Sequence, residues 1–269
     1  DGAVSALWAA YSQADITHNV MFEAHLAVAA FAVWIFFFES LHLWLPRAEQ
    51  YRLDGRLPVK ALHGFGPDAL EKAAKPIFAY LVGIALFHYF DLGSLLFGQK
   101  PAIFDFEAPS FARVAVEVAL GVFLYDLLFY PIHYSLHRLP LPAWRREHRR
   151  HHAWARSEAA AHNASETVFH SLADGALQVA VNILVQQLSP WGFKHPLSRA
   201  LHNVVVTYLL TEAHSGYDLP FMSHRLLPGV FGGAPRHEAH HQRGGVCYHQ
   251  FFTYIDDALG LGPGSAPPL

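Results

Sequence analysis

Apolar residues gather into five stretches long enough to be considered as membrane crossings, at residues 20–45, 76–98, 114–136, 175–188 and 197–210. None is an uninterrupted apolar twenty-mer, because Glu23, Glu39, Asp91, Glu117 and Asp126 interrupt or flank them. Such groups in lipid normally face a bundle interior or mark function. The last two stretches are short and separated only by residues 189–196, where Pro190, Gly192 and Pro196 favour a tight reversal. They predict a helical hairpin that dips into the bilayer or spans it. The pattern as a whole predicts an all-α chain of four to five hydrophobic helices forming an integral membrane bundle. Within a single 1–269 domain, residues 20–110 supply N-terminal membrane helices and 111–260 form the core.

The basic residues check this topology independently, because short cytoplasmic loops are enriched in Lys and Arg. Residues 1–20 contain none, 47–75 contain six, 99–110 contain only Lys100, and 138–171 again contain six. Basic and non-basic loops alternate as five crossings require. The polar segments before and after the hairpin then share the cytoplasmic side, so groups carried on both can meet at one site.

Composition agrees. Hydrophobic residues make up 52% of the chain and charged residues 15%, whereas soluble domains carry about 25% charged residues. The single Cys247 excludes an internal disulfide framework, and 19 basic against 22 acidic residues give no field for nucleic acid. The chain opens on Asp1 rather than methionine, which leaves room for an upstream segment. The outlier is histidine, with 20 copies, more than the lysines and arginines together.

Those histidines cluster as His133-x-x-x-His137, His148-x-x-His151-His152 and His237-x-x-His240-His241. At this histidine content one H-x-x-H-H arises by chance only about 0.1 times, and the chain holds two. On a helix, residues four apart share a face, so His133 with His137, or His148 with His152, can direct two imidazoles at one ion. Imidazole suits Fe, Zn, Cu and Ni, and the donors exceed what one ion needs, so a two-metal site is expected. The first pair ends the third apolar stretch, which places the metals just outside the bilayer within reach of a lipid. Asp126, Tyr130, His133 and His137 form one helical stripe, making Asp126 a candidate carboxylate behind a ligating histidine. Its plainer reading is an interfacial carboxylate. Taken alone, His133 and His137 would read as interfacial residues, and the Arg145–Arg150 run as a headgroup-contacting surface. Recurrence of the pattern on one side of the membrane favours metal.

These residues resemble the fatty acid hydroxylase superfamily, which includes membrane di-iron sterol hydroxylases, methyl oxidases and desaturases. The likeness covers residues 126–260. His214-Ser-Gly-Tyr-Asp218, His224-Arg-Leu-Leu-Pro228 and Gly232-Gly233 are similar to its cholesterol 25-hydroxylase branch. The resemblance implies an O2-dependent oxidoreductase acting on a sterol or fatty acyl lipid. It implies two Fe ions, with Zn a possible substitute, and electrons from cytochrome b5 or an NAD(P)H-dependent reductase. The implied ligands are His133, His137, His148, His151, His152, His214, His237, His240 and His241, in an endoplasmic reticulum membrane with the histidines cytoplasmic. There are departures. Many relatives carry a histidine where Leu210 stands, with His162, His170 and His202 as candidate substitutes that read first as bundle or surface residues. Cys247 and Tyr248 stand where the family usually has Asn and an aromatic.

The basic stretch 145–156 is a plausible landing surface for an acidic electron donor. One rival reading is a zinc protease, since His237-Glu238-x-x-His241 is literally H-E-x-x-H with Glu238 as general base. It leaves His240 and the other clusters unexplained. Another is a non-catalytic metal carrier, which usually places its ligands within the spans.

Overall fold

The computed structural model describes residues 2–55, 63–139, 146, 148, 152 and 162–265. In chain order the helices are α1 (Gly2–Gln13), α2 (Phe22–Trp44), α3 (Pro67–Tyr89), α4 (Leu92–Phe97), α5 (Phe111–Arg138), α6 (Leu172–Val185), α7 (Pro196–His214), α8 (Ser223–Leu226), α9 (Gly233–Arg243) and α10 (Tyr254–Ala258). Among the described residues there is no β-strand, only isolated bridges.

Helix starts follow local chemistry. The Ser110 hydroxyl accepts from the Arg113 N–H at the head of α5, and Ser171 accepts from Asp174 at the head of α6. Pro196 opens α7 at a position where its missing N–H costs nothing.

Side-chain clamps set the helix directions. At one end Arg199 of α7 holds Glu23 of α2 through two 2.7 Å bonds. The His195 N–H donates to Glu117 of α5 there (3.2 Å), and Gln186, just after α6, donates to the Arg199 carbonyl (3.1 Å). At the other end Glu39 of α2 accepts from the Gly64 and Ser165 N–H groups. Arg52 donates there to the His162 and Ser215 carbonyls. Direction therefore alternates along α2, α3, α5, α6 and α7. Residues 45–55, His148, His152 and the third histidine cluster lie at one end. Residues 99–110 and 189–196 lie at the other, where the Glu107 carbonyl meets His195 Nε2 at 3.1 Å.

Only α2 and α5, among the described residues, are long and apolar enough to cross a bilayer. Three of the five expected stretches differ for identifiable reasons. Residues 76–98 are not one helix, because Asp91 adopts a left-handed φ of 47° and separates α3 from α4. α3 instead begins earlier and carries Asp68, Glu71, Lys72 and Lys75 in its first half. α6 has 14 residues. α7 buries Ser198, His202, Asn203, Thr207, Thr211 and Glu212, and its polar groups are satisfied inside the protein. Asn203 accepts from Gln186 (2.9 Å) and Asn182 (3.2 Å), and His202 meets Asn182 at 3.1 Å. α7 is the buried centre, packed against α2, α5 and α9. Helix α1, which no apolar stretch announced, buries Trp8 against His195, with ring centroids 4.4 Å apart.

Around this centre, Val122, Tyr125 and Phe129 of α5 pack with Val181, Val185, Val206, Leu209 and Leu210. Outside it, Val33, Phe36 and Leu43 on α2, Phe78 and Leu86 on α3, and Val116 and Phe123 on α5 are exposed. A soluble monomer rarely leaves so much large apolar surface exposed, whereas lipid covers it, and with two helices long and apolar enough to cross a bilayer the chain is a membrane protein.

Candidate metal centre

The last turns of α5 present His133 and His137, and His148, His152 and His240 of α9 complete a group of five. Their donor atoms all lie within 4.8 Å of one another. A second group, also within 4.8 Å, joins His214 at the end of α7 to His237 and His241 of α9. The groups adjoin, since His152 and His241 stack at 4.3 Å. All eight are buried except His137, which is half-buried. The third sequence cluster therefore divides. His237 and His241, four apart, share a face toward one group, while His240 is rotated away toward the other. His151 lies outside the described residues.

The ring nitrogens show why these groups suit a cation. His133 Nδ1 lies 2.7 Å from the Tyr248 carbonyl, His240 Nδ1 2.7 Å from Val246 O, and His214 Nδ1 2.8 Å from Leu210 O. A carbonyl only accepts, so each Nδ1 carries the hydrogen and each neutral ring is left with its lone pair on Nε2. Yet Nε2 atoms converge: His214 with His237 at 2.9 Å, His237 with His241 at 3.0 Å, His137 with His148 at 2.9 Å, and His148 with His152 at 3.1 Å. A ring whose Nδ1 carries the hydrogen leaves its Nε2 as an acceptor, so nitrogens converging in this way can ligate a cation, and an all-imidazole set fits a transition metal.

Asp126 does not back a ligating histidine. Its fully buried carboxylate accepts from the N–H groups of Gln250 (2.8 Å), Phe251 (3.1 Å) and Phe252 (3.0 Å) and pairs with His249 Nδ1 at 2.6 Å. It thereby ties to α5 the loop whose Tyr248 carbonyl orients His133, one step from the donors. The carboxylate that does face a donor is Asp174, 3.4 Å from His148 Nδ1. Its only sequence signal was Ser171-x-x-Asp174, which reads as a helix cap. Asp256 supports the same loop, accepting from the N–H groups of Tyr248 and His249, and burial raises its pKa.

Glu238 belongs to neither group. It accepts from Gln242 (2.8 Å) and pairs with His162 Nδ1 (2.5 Å), so it does not occupy the place of a metal-water base. His162 is buried beside the second group, 4.3 Å ring to ring from His241. Burial opposes charge on His162, but the Glu238 hydrogen bond and the Glu166 and Glu238 carboxylates outweigh it and raise its pKa. Burial pushes Glu166 up to about 6. His170 and His202 belong to neither group. Tyr248 packs edge-on to His137 and His240 and receives the Arg138 Nε–H at 3.0 Å. Burial pushes the neighbouring Cys247 thiol up to about 12, leaving it inert.

Beside the histidines lies a cavity of about 510 Å³ between α2, α3, α6 and α7, lined mostly by apolar residues such as Phe31, Ile77, Ile84, Val179 and Val206. Its rim includes exposed Leu70, Leu86 and Leu172, so it opens toward the lipid-facing surface.

Comparison with known proteins places these features in a family. The chain is 32% identical over 174 residues to the cholesterol 25-hydroxylase-like protein of Danio rerio, covering 64% of this chain and 66% of that one. It is 29% identical to cholesterol 25-hydroxylase of Rattus norvegicus, covering 66% and 59%. The Homo sapiens enzyme is 26% identical, over 81% of this chain and 73% of its own. The chain thus spans slightly less than two thirds of the zebrafish relative and less of the rat one. No solved structure matches it. The fatty acid hydroxylase profile matches residues 118–261, just over half the chain and every residue of both histidine groups, and the chain belongs to the fatty acid hydroxylase family.

Proposed function

We propose that this chain hydroxylates an unactivated C–H bond of a sterol or fatty acyl lipid, using O2 at a pair of iron ions held by the two histidine groups. The observation that carries this reading is the apolar cavity opening at the lipid-facing surface, which shares Thr167, His170, Gln178 and Leu210 with the small pocket walled by the histidines. His133, His137, His148, His152 and His240 would hold one ion; His214, His237 and His241 would hold the other, with His151 proposed as a further ligand. Bound there, the irons supply O2 reduction and hydrogen removal, the part of the reaction no side chain can perform. The chain's own work is positional. Carbonyls of Val246, Tyr248 and Leu210 and the Asp174 carboxylate fix the imidazole tautomers and orientations. The α2, α3, α6 and α7 walls bind the lipid and exclude water.

Hydroxylation, rather than desaturation, is favoured by the likeness to cholesterol 25-hydroxylases. A zinc protease is disfavoured because Glu238 is committed to His162 and Gln242. A carrier leaves the cavity without a purpose. Electrons would come from cytochrome b5 or a reductase of that kind. Lipids extracted from cells with and without the protein should differ by an oxygenated species, and identical lipid profiles would contradict the proposal.

We also propose that all five apolar stretches cross or enter an endoplasmic reticulum membrane, with the histidine end cytoplasmic. The basic loops and the alternating helix directions support this. Buried Cys247 gives a quiet background for labelling. Cysteines placed at exposed Glu49 and Gln242 should react with an impermeant maleimide from the cytoplasmic side, and one at Lys100 from the opposite side. Reaction of all three from one side, or a glycan at Asn163, would overturn the arrangement.

A further inference from the structure

We infer that Leu210, at a neck shared with Thr167, His170 and Gln178, selects which carbon of the bound lipid reaches the metal centre. The inference rests on the hydroxylase reading above. The large apolar cavity and a small pocket of about 20 Å³ walled by His133, His148, His214, His237 and His241 are distinct, and four residues line both: Thr167, His170, Gln178 and Leu210. Among the described residues these four side chains join the apolar cavity to the pocket walled by the histidines, so a lipid advancing through that cavity passes them.

The four differ in freedom. Thr167 is held by its hydroxyl, which donates to the Ala164 carbonyl at 2.7 Å. His170 is held by the Ser171 carbonyl at 3.1 Å and by Gly175, where even a Cβ would lie 2.5 Å from its ring. Leu210 is fixed relative to the metal ligands, because its carbonyl orients His214 one turn along α7, yet its side chain makes only van der Waals contacts in the neck. Gln178 is half-buried, one turn along α6 from Asp174. Leu210 thus stands at a fixed height above the donors, and its volume sets how far the chain or side chain of a lipid can advance. This accounts for an apolar residue at a position where the family resemblance anticipates a ligand. An imidazole there would put a polar ring into the lipid path, whereas leucine keeps the approach to His214, His237 and His241 apolar. One methylene in an apolar pocket changes selection by roughly 10–200-fold, enough to decide between adjacent carbons.

The test compares wild type with Leu210→Ala, Leu210→Phe and Gln178→Ala, each reconstituted with Fe(II) in lipid nanodiscs, supplied with a chemical reductant and checked for iron content. One sterol and one fatty acyl lipid are supplied. Three quantities are read: lipid retained under nitrogen, oxidation rate under O2, and the position of the new oxygen by mass spectrometry. Leu210→Ala should keep its iron and move or spread at least a tenth of the product to a neighbouring carbon. Leu210→Phe should retain lipid but oxidise it at least tenfold more slowly. Gln178→Ala, which breaks no hydrogen bond among the described residues, should also redistribute product and keeps the test open should the leucine variants fail to fold. Iron-loaded variants giving the wild-type product at the wild-type rate overturn the inference while leaving the hydroxylase reading intact. A wild type that holds iron and lipid but yields no oxygenated product overturns both.

Discussion

Replacing His240 with alanine should lower lipid oxidation by more than about 100-fold and reduce the metal content from two ions toward one. Even residues one step behind metal ligands cost about 10–100-fold when removed, and His240 lies within the donor group itself. Its ring sits 4.5 Å from His133, 4.7 Å from His137 and 4.8 Å from His152, so the loss opens one side of the five-histidine group. The His214 group, to which His240 does not belong, should keep its ion. Glu238→Gln gives the contrast. The amide still accepts from Gln242 and remains beside His162, so oxidation should fall less than about tenfold, whereas a protease using Glu238 as base should lose 100-fold or more. Lipid oxidation under O2 and peptide hydrolysis under nitrogen, measured on both variants, separate the readings. Hydrolysis that survives His240→Ala and disappears with Glu238→Gln would contradict the oxygenase.

The largest structural effect is expected at Asp126. Asp126→Ala strips the acceptor from three N–H groups and from His249 in a place fully shielded from water. A buried donor left unpaired costs about 1–3 kcal/mol, so four of them approach the roughly 5–15 kcal/mol that holds a domain together. The variant should unfold in detergent well below the wild-type temperature, and at lower temperature should lose the ion of the five-histidine group first, because the Tyr248 carbonyl that orients His133 sits on the released loop. Asp126→Asn keeps one acceptor oxygen and should lose markedly less stability. A thermal melt of Asp126→Ala within a degree or two of wild type would show that the loop is held by something else.

These two residues also mark how much the sequence disclosed. The donors were legible because their spacing is local: His133 with His137 and His148 with His152 need only the pitch of a helix to share a face. The division of the third cluster was present in the spacing too, since His240 points about 100° away from His241 on any helix. What supports the donors was not legible. Asp126 finds its partners 123–126 residues along the chain, Glu238 pairs with His162 across 76 residues, and Asp174 reaches His148 across 26. The helical stripe from Asp126 to His137 was real, yet the carboxylate sits two turns from His133, facing the loop after α9. Hydrophobicity likewise located α2 and α5 but blurred α3 and α7. There, charge at a helix start and polar groups satisfied against neighbouring helices break the apolar run without breaking the bundle.

The central claim is that histidine-held iron inserts oxygen into a lipid. Purified protein depleted of metal, reloaded with Fe(II), supplied with a reductant and a sterol or fatty acyl lipid, and exposed to ¹⁸O2 tests it most directly. The account predicts two irons per chain and a hydroxylated lipid carrying one ¹⁸O atom, with no product from the metal-free or Zn(II)-loaded protein. Binding of fewer than two ions, or a lipid product whose oxygen comes from water or forms equally well without iron, would contradict it.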